Sequence, residues 1–327
     1  MGAEVFFAQR RATQGGGLLE KMEQIFEAAG FGGIVQDGER VAIKVQVGER
    51  GNATHLRPAL VRRIVRRVRY HGGRPFVTDS GSEGARADAI GHLLLAAEHG
   101  FDLAALGAPF LVADGLDGLD AVDLPHPADR DPIPVAGAIA RADSTIVLTH
   151  VTAGPTFGFC GALHNLGYLG TASARRHRLT HRPTARALAG DPMLAPRQAP
   201  DPDDRLPDPS IADAMVEAFA AIARAKSGKL AFVNILLDIT PDPDGHPWSD
   251  APIVPDIGIL ASRDPVALDQ ASIDFLNGQP GLSGTRLANP ACADKLSDLY
   301  PDVDWSMALA YAERLGLGTR PYELLII

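Results

Sequence analysis

The chain has 327 residues, 46% of them hydrophobic, and a formal net charge of −9 at pH 7. Its length suffices to bury a large core, its two cysteines cannot form a disulfide framework, and its acidic balance argues against nucleic-acid binding. Because no apolar run is long enough to span a bilayer and the N-terminus lacks a signal-like apolar segment, we expect a cytoplasmic protein with no membrane partner.

Short apolar runs bounded by Gly, Pro or Asp alternate along the chain with stretches of helical periodicity. This alternation predicts an α/β fold in which helices flank a mostly parallel, twisted sheet. The predicted strands are Val5 to Ala8, Val41 to Val47, Pro75 to Asp79, Phe110 to Ala113, Ser144 to Thr149, Lys229 to Leu237 and Asp256 to Ala261. The predicted helices are Leu18 to Ala29, Pro58 to His71, Ala87 to Glu98, Ile211 to Ala225, Pro265 to Leu276 and Trp305 to Leu315.

The domain organisation is predicted from the distribution of turn-forming residues. We expect residues 1–327 to form a single α/β unit, although a turn-rich stretch near residues 115–140 also allows two lobes, 1–130 and 131–327. Residues 189–209 are rich in proline and aspartate, which predicts a surface loop or lid. The sequence does not indicate an oligomeric state.

Four of the ten histidines fall between residues 149 and 181, among glycines and directly after a strand predicted to be fully buried. They are His150, His164, His177 and His181. In open α/β sheets the ligand crevice lies beyond the carboxyl ends of such strands. Imidazole can exchange a proton or bind a metal near neutral pH. One such histidine is more often structural than catalytic, but four together predict that at least one takes part in the chemistry.

Polar residues also occur in or after two other predicted strands. Lys44 interrupts an apolar strand, so it must either face an open side of the sheet or be paired with an acid. Thr54 lies in the following turn and could cap the helix that Pro58 continues, where free amides could receive an anion. Asp79 and Ser80 end the third strand, either as binding groups at the crevice or as a capping turn.

His177 and His181 are four residues apart, which on a helix would place both rings on one face with metal-ligand spacing. Arginines surround this pair, and their positive charge disfavours a bound cation but favours an anionic substrate. These arginines are Arg175, Arg176, Arg178 and Arg182. The expected partner is therefore a small anionic molecule.

Two segments together resemble a known family. The first is IVLTHVTAGPTFGFCGALHNLG, and the second runs from VNILLDITPDPDGHPWSDAPIVPDIGILASRDPVALDQ to the C-terminal tail. They are similar to the proteins grouped as domain of unknown function 362, in particular to iron-sulfur members, in which a strand ending in Thr-His or Lys-His leads to a Gly-Ala-Leu-Lys-Asn-Leu-Gly turn. The resemblance covers roughly residues 41–327.

The chain departs from that family pattern at three places. Pro243-Asp244-Gly245 stands where the iron-sulfur members have Cys-Asp-Cys, and Gly170 or Thr171 replaces a further cysteine. A four-iron cluster then has too few thiolate ligands, so we expect none. The third departure is His164 in place of the family's lysine, which exchanges a permanent cation for a group that can take and give a proton.

A weaker similarity links the same segment to the nickel-pincer lactate racemases. His150-Val151-Thr152-Ala153-Gly154 is similar to their His-x-x-Ala-Gly motif. The lysine that bears the pincer cofactor in that family is again replaced by His164, so the resemblance does not imply covalent attachment here.

The leading hypothesis is an isomerase- or lyase-like enzyme that removes a proton beside a carbonyl of an anionic substrate. His150 and His164 would transfer the proton, Asn165 and Lys44 would stabilise negative charge, and the surrounding Thr54, Asp79, Ser80, Arg175, Arg176, His177 and His181 would bind substrate. No cofactor is expected in this reading. A second hypothesis is a mononuclear metal-dependent or redox enzyme whose ligands are histidines together with Asp244, Asp256 or Asp264. A third is a non-catalytic ligand-binding or electron-relay-derived protein.

Overall fold

The structure, a computed structural model, describes residues 2–176 and 209–327. His177, His181 and all but the last residue of the loop expected at 189–209 lie outside the described residues. The strands are β1 (Ala3–Gln9), β2 (Arg40–Lys44), β3 (Arg74–Asp79), β4 (Phe110–Val112), β5 (Ala121–Leu124), β6 (Ile133–Ala136), β7 (Ser144–His150), β8 (Thr152–Gly154), β9 (Gly158–Cys160), β10 (Leu230–Leu236), β11 (Gly258–Ser262) and β12 (Tyr322–Ile326).

The helices alternate with these strands. They are α1 (Leu18–Ala28), α2 (Pro58–Tyr70), α3 (Ala89–Glu98), α4 (Leu103–Leu106), α5 (Gly137–Arg141), α6 (Pro209–Lys226), α7 (Pro265–Asn277), α8 (Lys295–Leu299) and α9 (Ser306–Arg314). A short π-helical turn spans His164–Tyr168. No helix within residues 2–176 or 209–327 combines the length and apolar character that crossing a membrane requires.

Eight strands form one sheet in the order β12-β1-β11-β10-β7-β2-β3-β4. Within this sheet only β11 is antiparallel to its neighbours. The chain adds β3 and β4 on one side of β2 and then returns to place β7 on the other side. The topological switch point, where ligands bind in open α/β sheets, therefore lies between β2 and β7.

Helices cover both faces of the sheet, and each face has its own apolar core. On one face α1 and α2 pack together, and α2 buries Leu60, Ile64 and Val68 at helical spacing. Its solvent side carries arginines, of which Arg63 and Arg67 pair with glutamates of α1. On the other face α6, α7 and α9 bury a second cluster. The alternation of elements in the sequence thus produces the three-layer α/β fold that it predicts.

The predicted α/β class is confirmed, and each predicted strand and helix has a counterpart whose ends differ by a few residues. The sheet takes strands from both 1–130 and 131–327, and the division into lobes stays a prediction. The stretch at 115–140, expected to be turn-rich, contains the hairpin β5-β6 and α5. Their short apolar runs, interrupted by prolines and aspartates, gave no periodic signal.

The expected cap at the start of α2 is wrong. Arg57 occupies the N-cap position and no side chain caps the helix, and Thr54 lies three residues before that position. Thr54 instead bonds Ser249, with 2.9 Å between the hydroxyl oxygens. This contact joins the loop after β2 to the loop after β10.

A side chain does cap the N-terminus of α7. Asp264 accepts hydrogen bonds from the Val266 and Ala267 amides, and its second oxygen accepts one from the Thr319 amide. Asp264→Ala should lower the free energy of unfolding by about 1–2 kcal/mol, the usual loss for a helix cap. Urea unfolding followed by circular dichroism measures it. Asp264→Asn, which keeps an acceptor oxygen, should lose less, and equal losses for the two variants would contradict the capping role.

Candidate functional site

Lys44, at the carboxyl end of β2, has no exposed surface. Its Nζ donates hydrogen bonds to the Val45 carbonyl oxygen at 2.7 Å, to Asp79 Oδ1 at 2.9 Å and to Asn165 Oδ1 at 2.9 Å. An ammonium has three protons, and these three acceptors within the protein take all of them. Burial lowers the pKa of Lys44, and the Asp79 carboxylate opposes that shift. Of the two arrangements that the sequence allowed, the lysine adopts the paired one.

Asp79 ends β3 and is also fully buried. Its carboxylate accepts hydrogen bonds from Lys44 and from the Ser80 and Val47 amides. Burial alone would raise the pKa of Asp79, but Lys44, His92 and Arg86 hold that pKa below its usual value. A buried carboxylate with this many donors is a structural counter-ion, and its contacts do not favour the substrate-binding role predicted for it.

Asn165 joins this pair to the strand on the other side of the switch point. Its amide Nδ2 donates to the Leu148 carbonyl oxygen and to Thr149 Oγ1, both at 3.0 Å, while its Oδ1 accepts from Lys44. Both amide protons are thus bound within the protein, as are all those of the lysine. Neither side chain has a free proton for a substrate oxyanion, so their contacts favour positioning over the direct stabilisation that the sequence predicted.

The π-helical turn that presents His164 and Asn165 is anchored by Asp269 of α7. The Asp269 carboxylate accepts hydrogen bonds from the Ala162 and Leu163 amides at 2.8 and 3.0 Å, just before the turn. Gly161 is required here, because a Cβ would lie 2.4 Å from an Asp269 oxygen. Such π-helical turns are rare and occur frequently at functional sites.

Gly167, inside the turn, allows it to pack directly on α6. A Cβ at this position would lie 2.4 Å from the Met215 carbonyl oxygen. The Gly-rich pattern in the sequence therefore reflects close packing of the turn against α6 and α7.

His150, the last residue of β7, is held between two acceptors. Its Nδ1 lies 2.9 Å from both carboxylate oxygens of Asp244, and its Nε2 lies 2.7 Å from the Leu237 carbonyl oxygen. Because each ring nitrogen faces an acceptor, each must carry a proton. Burial lowers the pKa of His150, but Asp244 and the Leu237 carbonyl outweigh that effect and raise it. This fixed imidazolium does not favour the proton-transfer role that the sequence predicted for His150.

His164 has the opposite environment. Its ring packs against two aromatic rings, with centroids 5.0 Å from Phe157 and 5.9 Å from Tyr168, and only 8% of the residue is exposed. The charges that act on it are those of Lys44 and Arg176, and both are positive. Burial and these two cations lower the pKa of His164 to about 3. The ring is therefore a neutral imidazole at physiological pH.

Of the two arginines of the predicted group that the structure describes, Arg175 and Arg176, the second reaches this cluster. It is buried, its guanidinium lies 5.1 Å from the Tyr168 ring centroid, and it donates to the Ser80 hydroxyl at 2.9 Å and to the Gly81 carbonyl oxygen at 3.2 Å. Ser80 is buried and donates to the Leu169 carbonyl oxygen, so it serves the packing of the turn. Arg175 instead pairs with Asp123 at 2.7 Å, away from the cluster.

Two residues that sequence reasoning missed lie beside Asp79. Arg86 is 2% exposed and His92 is fully buried, with nitrogens 3.5 and 3.7 Å from Asp79 Oδ2. Arg86 follows a Ser-Gly-Ser-Glu-Gly turn and His92 lies in α3, a helix with little charge. The signal in the sequence that could have identified His92 is a histidine on a largely apolar helix.

The donor set does not fit an iron-sulfur cluster. The whole chain has two cysteines, and burial raises the pKa of the Cys160 thiol to about 12, which opposes thiolate formation. Among the described residues, no three His, Cys, Asp or Glu side chains are grouped so that they could hold a metal ion. Asp244 pairs with His150, Asp256 with Arg10, and Asp264 caps α7. His177 and His181 lie outside the described residues, so the mononuclear-metal hypothesis stays a prediction.

The comparison with protein-family models agrees with the sequence resemblance. A model of the family described as "Domain of unknown function (DUF362)" matches residues 41–274. A similar solved structure is the lactate racemase apoprotein from Thermoanaerobacterium thermosaccharolyticum, at 13% sequence identity and a TM-score of 0.43. The alignment covers 71% of this chain and 51% of that one, so the chain spans about half the length of the racemase. The comparison with curated proteins gives no match.

Removing the buried ammonium should destabilise the fold strongly. Lys44→Met would leave Asp79 buried without its closest cation, and loss of one partner of such a pair costs about 3–5 kcal/mol. Urea unfolding measures the loss. Lys229→Met provides the control, because Lys229 pairs with Glu39 near the surface, where a pair is worth about 0–1 kcal/mol. Similar losses for the two variants would rule out a special role for the buried pair.

The raised pKa of His150 predicts a pH dependence of stability. A histidine whose pKa is higher in the folded state adds stability that is fully present below its unfolded value of 6.5 and is lost as the pH rises through the folded value. The free energy of unfolding should therefore fall more steeply above pH 6.5 in the wild type than in His150→Gln. Urea titrations from pH 6 to 9 test this, and parallel curves would mean that His150 is neutral.

Proposed function

The chain belongs to the DUF362 family, and we propose that it is an enzyme that removes a proton beside the carbonyl group of a small anionic substrate. The base in this proposal is His164. The C–H bond breaks, its electron pair moves toward the carbonyl oxygen, and the proton goes to an imidazole nitrogen. Return of that proton to the same or another atom gives isomerisation or epimerisation, and expulsion of a neighbouring group gives elimination.

The observation that carries the proposal is the state of His164. A neutral imidazole beside two buried cations, at the switch point of the sheet, lacks an acidic partner of its own in the described structure. An anionic substrate placed beside it would supply the missing negative charge. That charge would raise the pKa of His164 from about 3 toward the working range, so that it becomes an effective base only when substrate is bound.

The neighbouring groups support this role without touching the substrate. Lys44 and Arg176 supply a fixed positive field at His164, and such preorganised charge stabilises an enolate as it forms. Asn165 sets the position of the turn through its three hydrogen bonds. Phe157 and Tyr168 cover the ring and exclude water, which strengthens these electrostatic effects.

Among the described residues the His164 ring has no carboxylate or carbonyl hydrogen-bond partner. In this it differs from His150, which faces Asp244 and the Leu237 carbonyl oxygen, and from His99, which bonds the Val47 carbonyl oxygen at 2.8 Å. A binding protein without turnover would retain the same two cations near His164. Activity measurements on His164 variants therefore decide between the enzyme and a protein that only binds.

Proton abstraction can be tested without knowing the natural substrate. A panel of small 2-keto and 2-hydroxy acids is incubated with the protein in D₂O, and mass spectrometry detects deuterium at the carbon beside the carbonyl or carboxylate group. His164→Gln should abolish the incorporation that the wild type catalyses. His71→Gln is the matched control, because His71 pairs with Glu27 at the surface and should not matter. Equal incorporation by wild type and His164→Gln would refute the assignment.

The pH profile of a substrate found in this way tests the electrostatic argument. The acid limb of kcat/KM reports the free enzyme, so it should show no loss attributable to His164 until the pH approaches about 3. The acid limb of kcat reports the complex and should lie at a higher pH, because the bound anion raises the pKa of His164. Coincident limbs would contradict the proposed coupling between binding and basicity.

A further inference from the structure

Arg86 is the largest buried side chain of the described structure whose polar atoms lack partners. Carboxylate oxygens of Glu49 and Asp79 each lie 3.5 Å from its guanidinium, too far and too poorly aligned for hydrogen bonds. Its Nε and Nη1 have no hydrogen-bond partner among the described residues. Buried donors usually have acceptors, so Arg86 is a guanidinium whose charge is balanced by two carboxylates but whose hydrogen-bonding capacity is not used by them.

The remaining guanidinium nitrogen borders an open notch at Gly245. A Cβ built at Gly245 would have two neighbours within 4 Å, Arg86 Nη2 and Gln46 Nε2, each at 3.4 Å. Both are hydrogen-bond donors, and neither donates a hydrogen bond to another described residue. Gln46 and Gly245 are half-buried, so the notch opens to solvent while Arg86 forms its floor.

We propose that this notch, formed by Arg86, Gln46 and Gly245, binds the carboxylate of a small acid. Arg86 Nη2 and the Gln46 amide can each donate to one oxygen of a carboxylate, and the glycine leaves room for the ligand to approach. A singly charged carboxylate suits the site better than a phosphate dianion, because Glu49 and Asp79 already lie beside the guanidinium and would repel a second charge.

This inference goes beyond the proposed function and does not depend on it. The notch residues do not include His164, and binding of a carboxylate there needs no proton transfer. His164→Gln should bind carboxylates as the wild type does, even if His164 proves unnecessary for any reaction. Loss of deuterium exchange and loss of carboxylate binding are therefore separate outcomes.

The test is a titration of the protein with sodium formate and sodium acetate, with the thermal midpoint as readout. Binding to the folded state should raise the midpoint in a saturable way, whereas sodium chloride of equal ionic strength should not. Gly245→Ala should fold, because its Cβ would make only ordinary van der Waals contacts, but it fills the notch. The apparent dissociation constant should then rise at least about tenfold, as expected for losing a hydrogen bond to a charged group.

Two further variants make the outcome decisive. Gln46→Glu places a carboxylate in the notch, so it should raise the midpoint without ligand and abolish the response to formate. Gly33→Ala is the matched control, because a Cβ at that exposed glycine meets nothing within 4 Å and the response should be unchanged. The proposal is overturned if wild-type protein shows no saturable rise with either acid, if Gly245→Ala responds equally, or if phosphate binds and the carboxylates do not.

Discussion

The arrangement at the centre of the sheet depends on the burial of one ammonium group. Lys44 is fully buried. Its three protons are bound by the carbonyl oxygen of Val45, by Asp79 at the end of β3 and by Asn165 of the π-helical turn. Taking such a charge out of water is costly unless its acceptors are placed well. The requirement therefore fixes the relative positions of β2, β3 and the turn at residues 164–168. The turn in turn sets where His164 can lie.

Two histidines close to this centre have opposite protonation states because their neighbours differ. His150 has a carboxylate on one ring nitrogen and a carbonyl oxygen on the other, and both favour the imidazolium. His164 is buried near two cations, and both the burial and the cations favour the neutral ring. Both residues are histidines, one at the end of β7 and one in the turn that comes after it, so their chemical roles are decided by three-dimensional contacts. Separation of titrating groups in this way is typical of sites that move protons.

Much of the fold could be predicted from the sequence, because apolar periodicity and proline positions are local signals. Pro58 and Pro265 marked the starts of α2 and α7 correctly, and the buried strand before His150 pointed to the crevice. The edge strand β12 and the hairpin β5-β6 were missed because they have only short apolar runs. In the site, Lys44 bonds Asn165, which follows His164 in the chain, and the roles expected for these residues stay predictions. Partners such as Asp244 could not be assigned, since 94 residues separate it from His150.

Contacts between residues far apart in the sequence also affect how the chain folds. The two side chains that bind the Lys44 ammonium lie 35 and 121 residues further along the sequence. Strand β2 can pair with β3 early, but its lysine has to stay hydrated until the segment with Asn165 arrives. Contacts between such distant residues form late, because closing long loops costs entropy before the contacts stabilise the chain. We therefore expect water to be excluded last from the centre of the sheet, where the candidate active site lies.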